Sequence, residues 1–240
     1  MVLRLAAIGF TLSWLLPAGD EPKQKVQVTK TERMDLVSSG TLRLENSIGE
    51  LTVEGWDQPE VEITTIKSSK VAYGSRDREN ASRKLDRVRI TAERRGEDIV
   101  ITTAFPRYRT MPPPLFWRGG GDFDLEYHIH VPRNARLVVD HDAGEVHVDH
   151  VSGAIDVTVL RGEITLSLPP EGQYDIHARS DLGSVTSDFP GRAKRRPWLL
   201  GHQFTGDPSA GSQKLRLRVG LGDIVILKMP NLWRPAPLGP

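Results

Sequence analysis

Apolar and polar residues alternate along much of this chain in a unit that opens on glycine and recurs every nine residues. Gly144-Glu-Val-His-Val-Asp-His-Val-Ser is followed by Gly153-Ala-Ile-Asp-Val-Thr-Val-Leu-Arg and then by Gly162-Glu-Ile-Thr-Leu-Ser-Leu-Pro-Pro. Apolar residues stand two and four places after each glycine: Val146 and Val148, Ile155 and Val157, Ile164 and Leu166. The sixth place holds His150, Val159 and Leu168. A period of two is that of a strand with one buried face. A glycine at each boundary permits the positive φ of a tight corner. The unit returns at Gly40, Gly49, Gly183 and Gly222, and residues 60–66, 122–131 and 213–219 alternate as well.

Short strands at regular spacing with glycine corners predict an all-β protein. Sustained in blocks, so short a period predicts a β-solenoid or flattened β-roll, with two rungs making a coil of about eighteen residues. The rival is an antiparallel meander or sandwich. Its hairpins favour Asn-Gly and Asp-Gly turns, whereas the corners here are Ala-Gly, Ser-Gly and Arg-Gly. Residues 75–87 break the beat: they are highly charged, lack Gly and Pro, and predict a short surface helix. Strands 88–93 and 98–105 should follow, joined by a turn at Arg95-Gly96. Residues 106–121 and 190–212 read as long loops, and 230–240 as an irregular Pro-rich tail.

The N-terminus has a different pattern. Arg4, an apolar stretch from Leu5 to Leu16, and the small residues Ala18 and Gly19 have the layout of a secretory signal peptide. The apolar run is shorter than the roughly 20 residues of a membrane span. Cleavage is the expected outcome and retention as an anchor the other. The chain then divides into a signal peptide (1–19), a lead-in strand (20–35), one all-β domain (36–229) and the tail (230–240). Of the 240 residues, 32 are Lys or Arg and 31 are Asp or Glu, giving a net charge of +1. Arg4 leaves with the signal, so the remaining charges balance. That argues against bulk electrostatic binding of nucleic acid. There is no cysteine, which excludes disulfides, iron–sulfur and thiolate zinc sites and a cysteine nucleophile.

Four stretches together resemble the bacterial exported "putative adhesin" domain family. They are Gly49-Glu-Leu-Thr-Val-Glu-Gly-Trp-Asp with Glu60-Val-Glu-Ile-Thr, Tyr127-His-Ile-His-Val-Pro, Gly144 to Leu168, and Gly220-Leu-Gly-Asp-Ile-Val-Ile. They span about residues 36–228, and their order is more specific than any one rung. The resemblance implies a β-solenoid or β-roll, exported or membrane-tethered, with an adhesive or envelope-associated role and no catalytic residues to carry over. The chain departs from that pattern at 106–121 and 190–212, and at His150, where a rung should bury an aliphatic side chain.

Four sets of residues are candidates for chemistry. Glu126, His128 and His130 share one face of a strand, and such a set can hold a divalent metal; a solvated polar face is the simpler reading. Glu50, Glu145, Glu163 and Asp223 each follow a rung glycine and would line up if rungs stack. Their spacing matches neither an EF-hand nor the nonapeptide calcium repeat, and edge protection by charge accounts for them. Two basic clusters (Arg76, Arg78, Arg83, Lys84, Arg87, Arg89, and Arg192, Lys194, Arg195, Arg196) could meet phosphate or anionic polysaccharide. Phe116, Trp117 and Trp198 are partner-contact candidates, or caps over an end of the stack. No nucleophile elbow and no P-loop is present.

The sequence therefore predicts an exported, non-enzymatic binding or envelope-scaffold module, periplasmic or on the cell surface. It would need no cofactor, bind no nucleic acid, and take an envelope protein or polysaccharide as partner. The alternatives are a periplasmic sensor module of an envelope-stress system and a carbohydrate-active β-helix enzyme.

Overall fold

The computed structural model describes residues 23–37, 40–105, 123–195, 200–207 and 212–229. The signal segment, Phe116, Trp117, Trp198 and the Pro-rich tail lie outside the described residues.

Among the described residues the fold is all-β with one helix. In chain order the elements are β1 (Gln24–Asp35), β2 (Thr41–Trp56), β3 (Glu60–Tyr73), α1 (Ser75–Leu85), β4 (Arg89–Arg95), β5 (Asp98–Ala104), β6 (Phe123–Pro132) and β7 (Arg136–Asp149). There follow β8 (Ile155–Leu168), β9 (Tyr174–Leu182), β10 (Val185–Ser187), β11 (Gly191–Arg195), β12 (His202–Gly206), β13 (Gln213–Leu221) and β14 (Ile224–Lys228). All strands join one mixed 14-stranded sheet, which is not closed.

The long strands explain how one sheet encloses a core. β2, β7 and β8 lie parallel and in register, so that Gly49 stands beside Gly144 and Gly144 beside Gly162. Each strand turns a corner at its glycine and continues as a second arm. The pairs β13–β14 and β9–β10 repeat the plan, with Gly222 and Gly183 between their arms. The first arms pair in the order β5, β2, β7, β8, β13, β9. The second arms pair as β6, β2, β7, β8, β14, β10. Gly144 and Gly162, which stand side by side, are separated by two nine-residue units. Gly153, between them, lies at the opposite return bend, where its N–H donates to the Arg133 carbonyl at 3.0 Å.

The glycine ladder is a steric requirement. Gly49, Gly144, Gly162, Gly183 and Gly222 have φ of 99°, 130°, 145°, 148° and 132°, values L side chains rarely adopt. A Cβ on Gly144 would overlap the Gly49 carbonyl oxygen, one on Gly162 that of Gly144, and one on Gly222 that of Gly162.

The inward residues of both arms form one core, including Leu42, Leu137, Ile155 and Leu215 from first arms and Leu51, Val146, Ile164 and Ile224 from second arms. Antiparallel strands flank the parallel stack: β1 on β3 and β3 on β6 at one side, β4 on β5, and β12 on β9 with β11 on β12 at the other. A purely parallel solenoid and a pure meander both fall short of this mixture.

The predicted helix is α1. Its buried Ala81 and Leu85 face the sheet, and Lys67 of β3 donates to the Leu85 carbonyl (3.3 Å) and to that of Val88 just beyond it (3.2 Å). The turn at Gly96 joins β4 to β5 as expected. Two expectations need correction. Residues 190–212 are not simply a loop, because they contain the β11–β12 hairpin. The histidine in the core is His141, not His150. His150 is exposed, with φ of 58°, and Val151 is buried in its place.

Candidate binding faces

Strict register converts alternation into rows. On the outer face of the second arms, one row runs Glu126, Glu50, Glu145, Glu163 across β6, β2, β7 and β8. The next runs Thr31, Thr64, His128, Thr52, His147, Thr165, and the third Arg33, Glu62, His130, Glu54, Asp149, Ser167. Neighbours in a row are about 4.8 Å apart, the strand spacing. The expected alignment of Glu50, Glu145 and Glu163 is present. Asp223, between Gly222 stacked on Gly162 and Ile224 paired with Ile164, continues that alignment on β14's side and accepts hydrogen bonds from the Ser184 N–H (2.6 Å) and hydroxyl (2.8 Å). Those two bonds hold its carboxyl below the usual range.

Glu126, His128 and His130 do share this face, as the alternation requires. Their side chains are engaged separately. His128 Nε2 lies 3.7 Å from Glu126, whereas His130 lies between Glu54 (3.6 Å) and Glu62 (3.7 Å) and stacks on Trp56 at 5.0 Å. Among the described residues, no three His, Asp or Glu side chains form a group able to hold a metal ion.

The outer face of the first arms is richer in cations, with aspartates among them. One row runs Arg43, Val138, Asp156, Arg216, His177, Thr205, Arg192 across β2, β7, β8, β13, β9, β12 and β11. The next runs Asp140, Thr158, Arg218, Arg179, Gln203, Lys194. A groove of about 460 Å³ lies over β8, β13, β9 and β12, lined by Asp156, Thr158, His177, Arg179, Gln203, Arg216 and Arg218 among others. Asp181 holds Arg179 at 2.6 Å, and Asp175 lies 3.1 Å from His177. Arg216 and Arg218 are exposed, and neither forms an ion pair or side-chain hydrogen bond within the described residues. Their backbone places them there: Leu215, Leu217 and Val219 take the core, so the residues between must point out.

Of the basic residues singled out in the sequence, Arg192 and Lys194 reach this face. Arg179, Arg216 and Arg218 were missed. The signal was available in Lys214-Leu-Arg-Leu-Arg-Val, an alternating strand with a cation at every outward place. What the sequence hid was its neighbour: β13 is inserted between β8 and β9, which brings Arg218 beside Arg179.

The core contains a polar knot at the corner. The Ser47 hydroxyl donates to His141 Nδ1 at 2.7 Å, and His141 Nε2–H donates to the Gly49 carbonyl at 3.1 Å. The carbonyl can only accept, which fixes the neutral tautomer. Burial pushes the imidazole down to about 4. Tyr127 is buried with its hydroxyl 2.8 Å from that of Thr103, and burial pushes it up to about 12. Both groups belong to packing, away from the surface rows.

No family model and no curated protein matches the chain. Among solved structures it is similar to a putative cell adhesion protein from Clostridium sporogenes, at 12% identity over 84% of this chain and 100% of that one, with a TM-score of 0.47. A putative adhesin from Bacteroides fragilis matches at 10% identity over 84% and 97%, with a TM-score of 0.33. A putative lipid binding protein from Parabacteroides distasonis matches at 9% identity over 84% and 97%, with a TM-score of 0.22. At these scores the likeness supplies no argument about ligand or mechanism. No helix among the described residues is long and apolar enough to cross a membrane.

Proposed function

We propose that this protein is an exported, non-enzymatic binding module, built as a β-roll, that docks an envelope component on the arginine-bearing face of its first arms. The observation that carries this is the groove in which Arg216 and Arg218 stand exposed, with no ion pair among the described residues. A cation already held by a carboxylate contributes little to a ligand, whereas an unpaired one offers its full set of donors. Stacked rungs and a continuous apolar core make the face rigid, so little ordering cost accompanies docking. Adhesive or scaffold roles use such a face directly.

The test is co-sedimentation of the purified chain with isolated envelope fragments. The double variant Arg216→Glu/Arg218→Glu should bind at least tenfold more weakly, and Glu145→Gln/Glu163→Gln on the opposite face should bind as the parent does. Undiminished binding by the arginine variant would remove this face as the docking surface.

A further inference from the structure

We infer that the groove on the first-arm face takes a linear acidic polysaccharide, one carrying isolated carboxylates along a hydroxyl-rich chain. This rests on the reading of that face as the docking surface and names the ligand class for it.

Register supplies the first argument. From β13 to β11 the outward residues form two tracks that cross the strands: Arg218, Arg179, Gln203, Lys194, and Arg216, His177, Thr205, Arg192. Three strand spacings of about 4.8 Å give each track a length of about 14 Å, and two residues along a strand separate the tracks by about 7 Å. The cations are therefore spread along a path. No described side chain gathers them around one point, as a site for a small anion would.

Energetics supply the second. Every one of these cations is solvent-exposed or nearly so. A single exposed ionic contact contributes on the order of 0.2–1 kcal/mol. Useful affinity then requires many contacts made by one molecule, each raising the effective concentration of the next. An extended polymer does this and a monomeric anion does not.

Composition of the face selects among polymers. Asp156 and Asp140 lie in the same rows, and Asp175 and Asp181 adjoin them. A nucleic-acid strand, with a charge on every phosphate and about 3.4 Å between them along each strand of a duplex, would press against these carboxylates. A chain with one carboxylate per sugar can pass its hydroxyls over them instead. Gln203, Thr158 and Thr205 offer both donors and acceptors to hydroxyls. Among the described residues the groove is lined by no Phe, Tyr or Trp on which successive bases would stack; its one ring is the imidazole of His177, 3.1 Å from Asp175.

The experiment titrates the full chain with polygalacturonate, and in parallel with neutral dextran, monomeric galacturonate and poly(dT). Polygalacturonate should bind, weaken at least tenfold between 50 and 300 mM NaCl, and weaken at least tenfold at low salt in Arg216→Glu/Arg218→Glu. Arg216→Lys/Arg218→Lys should retain most of the binding, which separates charge from misfolding. Dextran and the monomer should show no binding at concentrations where the polymer saturates. Equal binding of dextran, tighter binding of poly(dT), absence of polygalacturonate binding, or indifference to charge reversal would each overturn the ligand class. If charge reversal abolishes envelope binding while polygalacturonate fails to bind, the docking face stands and the polysaccharide falls. If charge reversal affects neither, both fall.

Discussion

His141 occupies a core column whose register neighbours across β8 and β13 are Val159 and Val219. An imidazole is tolerated there because Ser47 and the Gly49 carbonyl satisfy both ring nitrogens, and because it stays neutral. The unfolded imidazole titrates at 6.5 and the folded one at about 4. Between those values the unfolded chain binds a proton that the folded chain refuses. The contribution of His141 to stability is therefore complete above about pH 6.5, falls as pH drops towards 4, and changes no further below that. The loss is on the order of 3 kcal/mol. Urea unfolding at pH 7.5 and 4.5 should show a smaller acid loss in Ser47→Ala/His141→Val than in the parent, by about 2–3 kcal/mol. Equal losses would mean that His141 is protonated in the fold. The aliphatic pair removes both side-chain partners together, so of the knot only the Gly49 carbonyl loses a donor.

At the scale of the element, the corner decides what a rung can be. The alternation in 144–168 made the strands and their inward residues legible: Val146, Val148, Ile155, Val157, Ile164 and Leu166 are all buried. The nine-residue beat nevertheless treated Gly144, Gly153 and Gly162 as equivalent, and they are not. Gly144 and Gly162 stack at one corner with positive φ, and Gly153 belongs to the return bend. Gly144→Ala should cost more than about 3 kcal/mol, because backbone strain and a clash with a neighbouring carbonyl act together. Gly96→Ala, in the β4–β5 turn with φ of 67° and open space around it, should cost about 1 kcal/mol. The urea midpoints of the two variants measure the difference. Similar costs would show that the stacked corner is not the constraint.

Over the whole molecule, a net charge near zero conceals partial segregation. Glu50, Glu126, Glu145, Glu163, Glu54 and Glu62 outnumber Arg33 on the outer face of the second arms, and Arg43, Arg179, Arg216, Arg218, Arg192 and Lys194 outnumber Asp140, Asp156, Asp175 and Asp181 on that of the first. A uniformly neutral surface would pass through both kinds of ion exchanger. At neutral pH and low salt this protein should be retained by a cation exchanger through one face and by an anion exchanger through the other. Arg216→Glu/Arg218→Glu should lose cation-exchanger retention and keep the other. Retention of that variant on both would locate the positive field elsewhere.

The local pattern of the chain was sufficient for the all-β class, for most of the strands though not for β11 and β12, for the helix near 75–87 and for the inward stripe. Those features depend on period and sterics, which are written in consecutive residues. The face that carries the binding proposal was not visible in the same way. Arg218 and Arg179 are far apart in the sequence and become neighbours only because β13 enters between β8 and β9. Likewise Ser47 and His141 meet only because β2 and β7 lie side by side. Alternation fixes which way a side chain points. The order of strands across the sheet, set by long-range pairing, fixes what it stands beside.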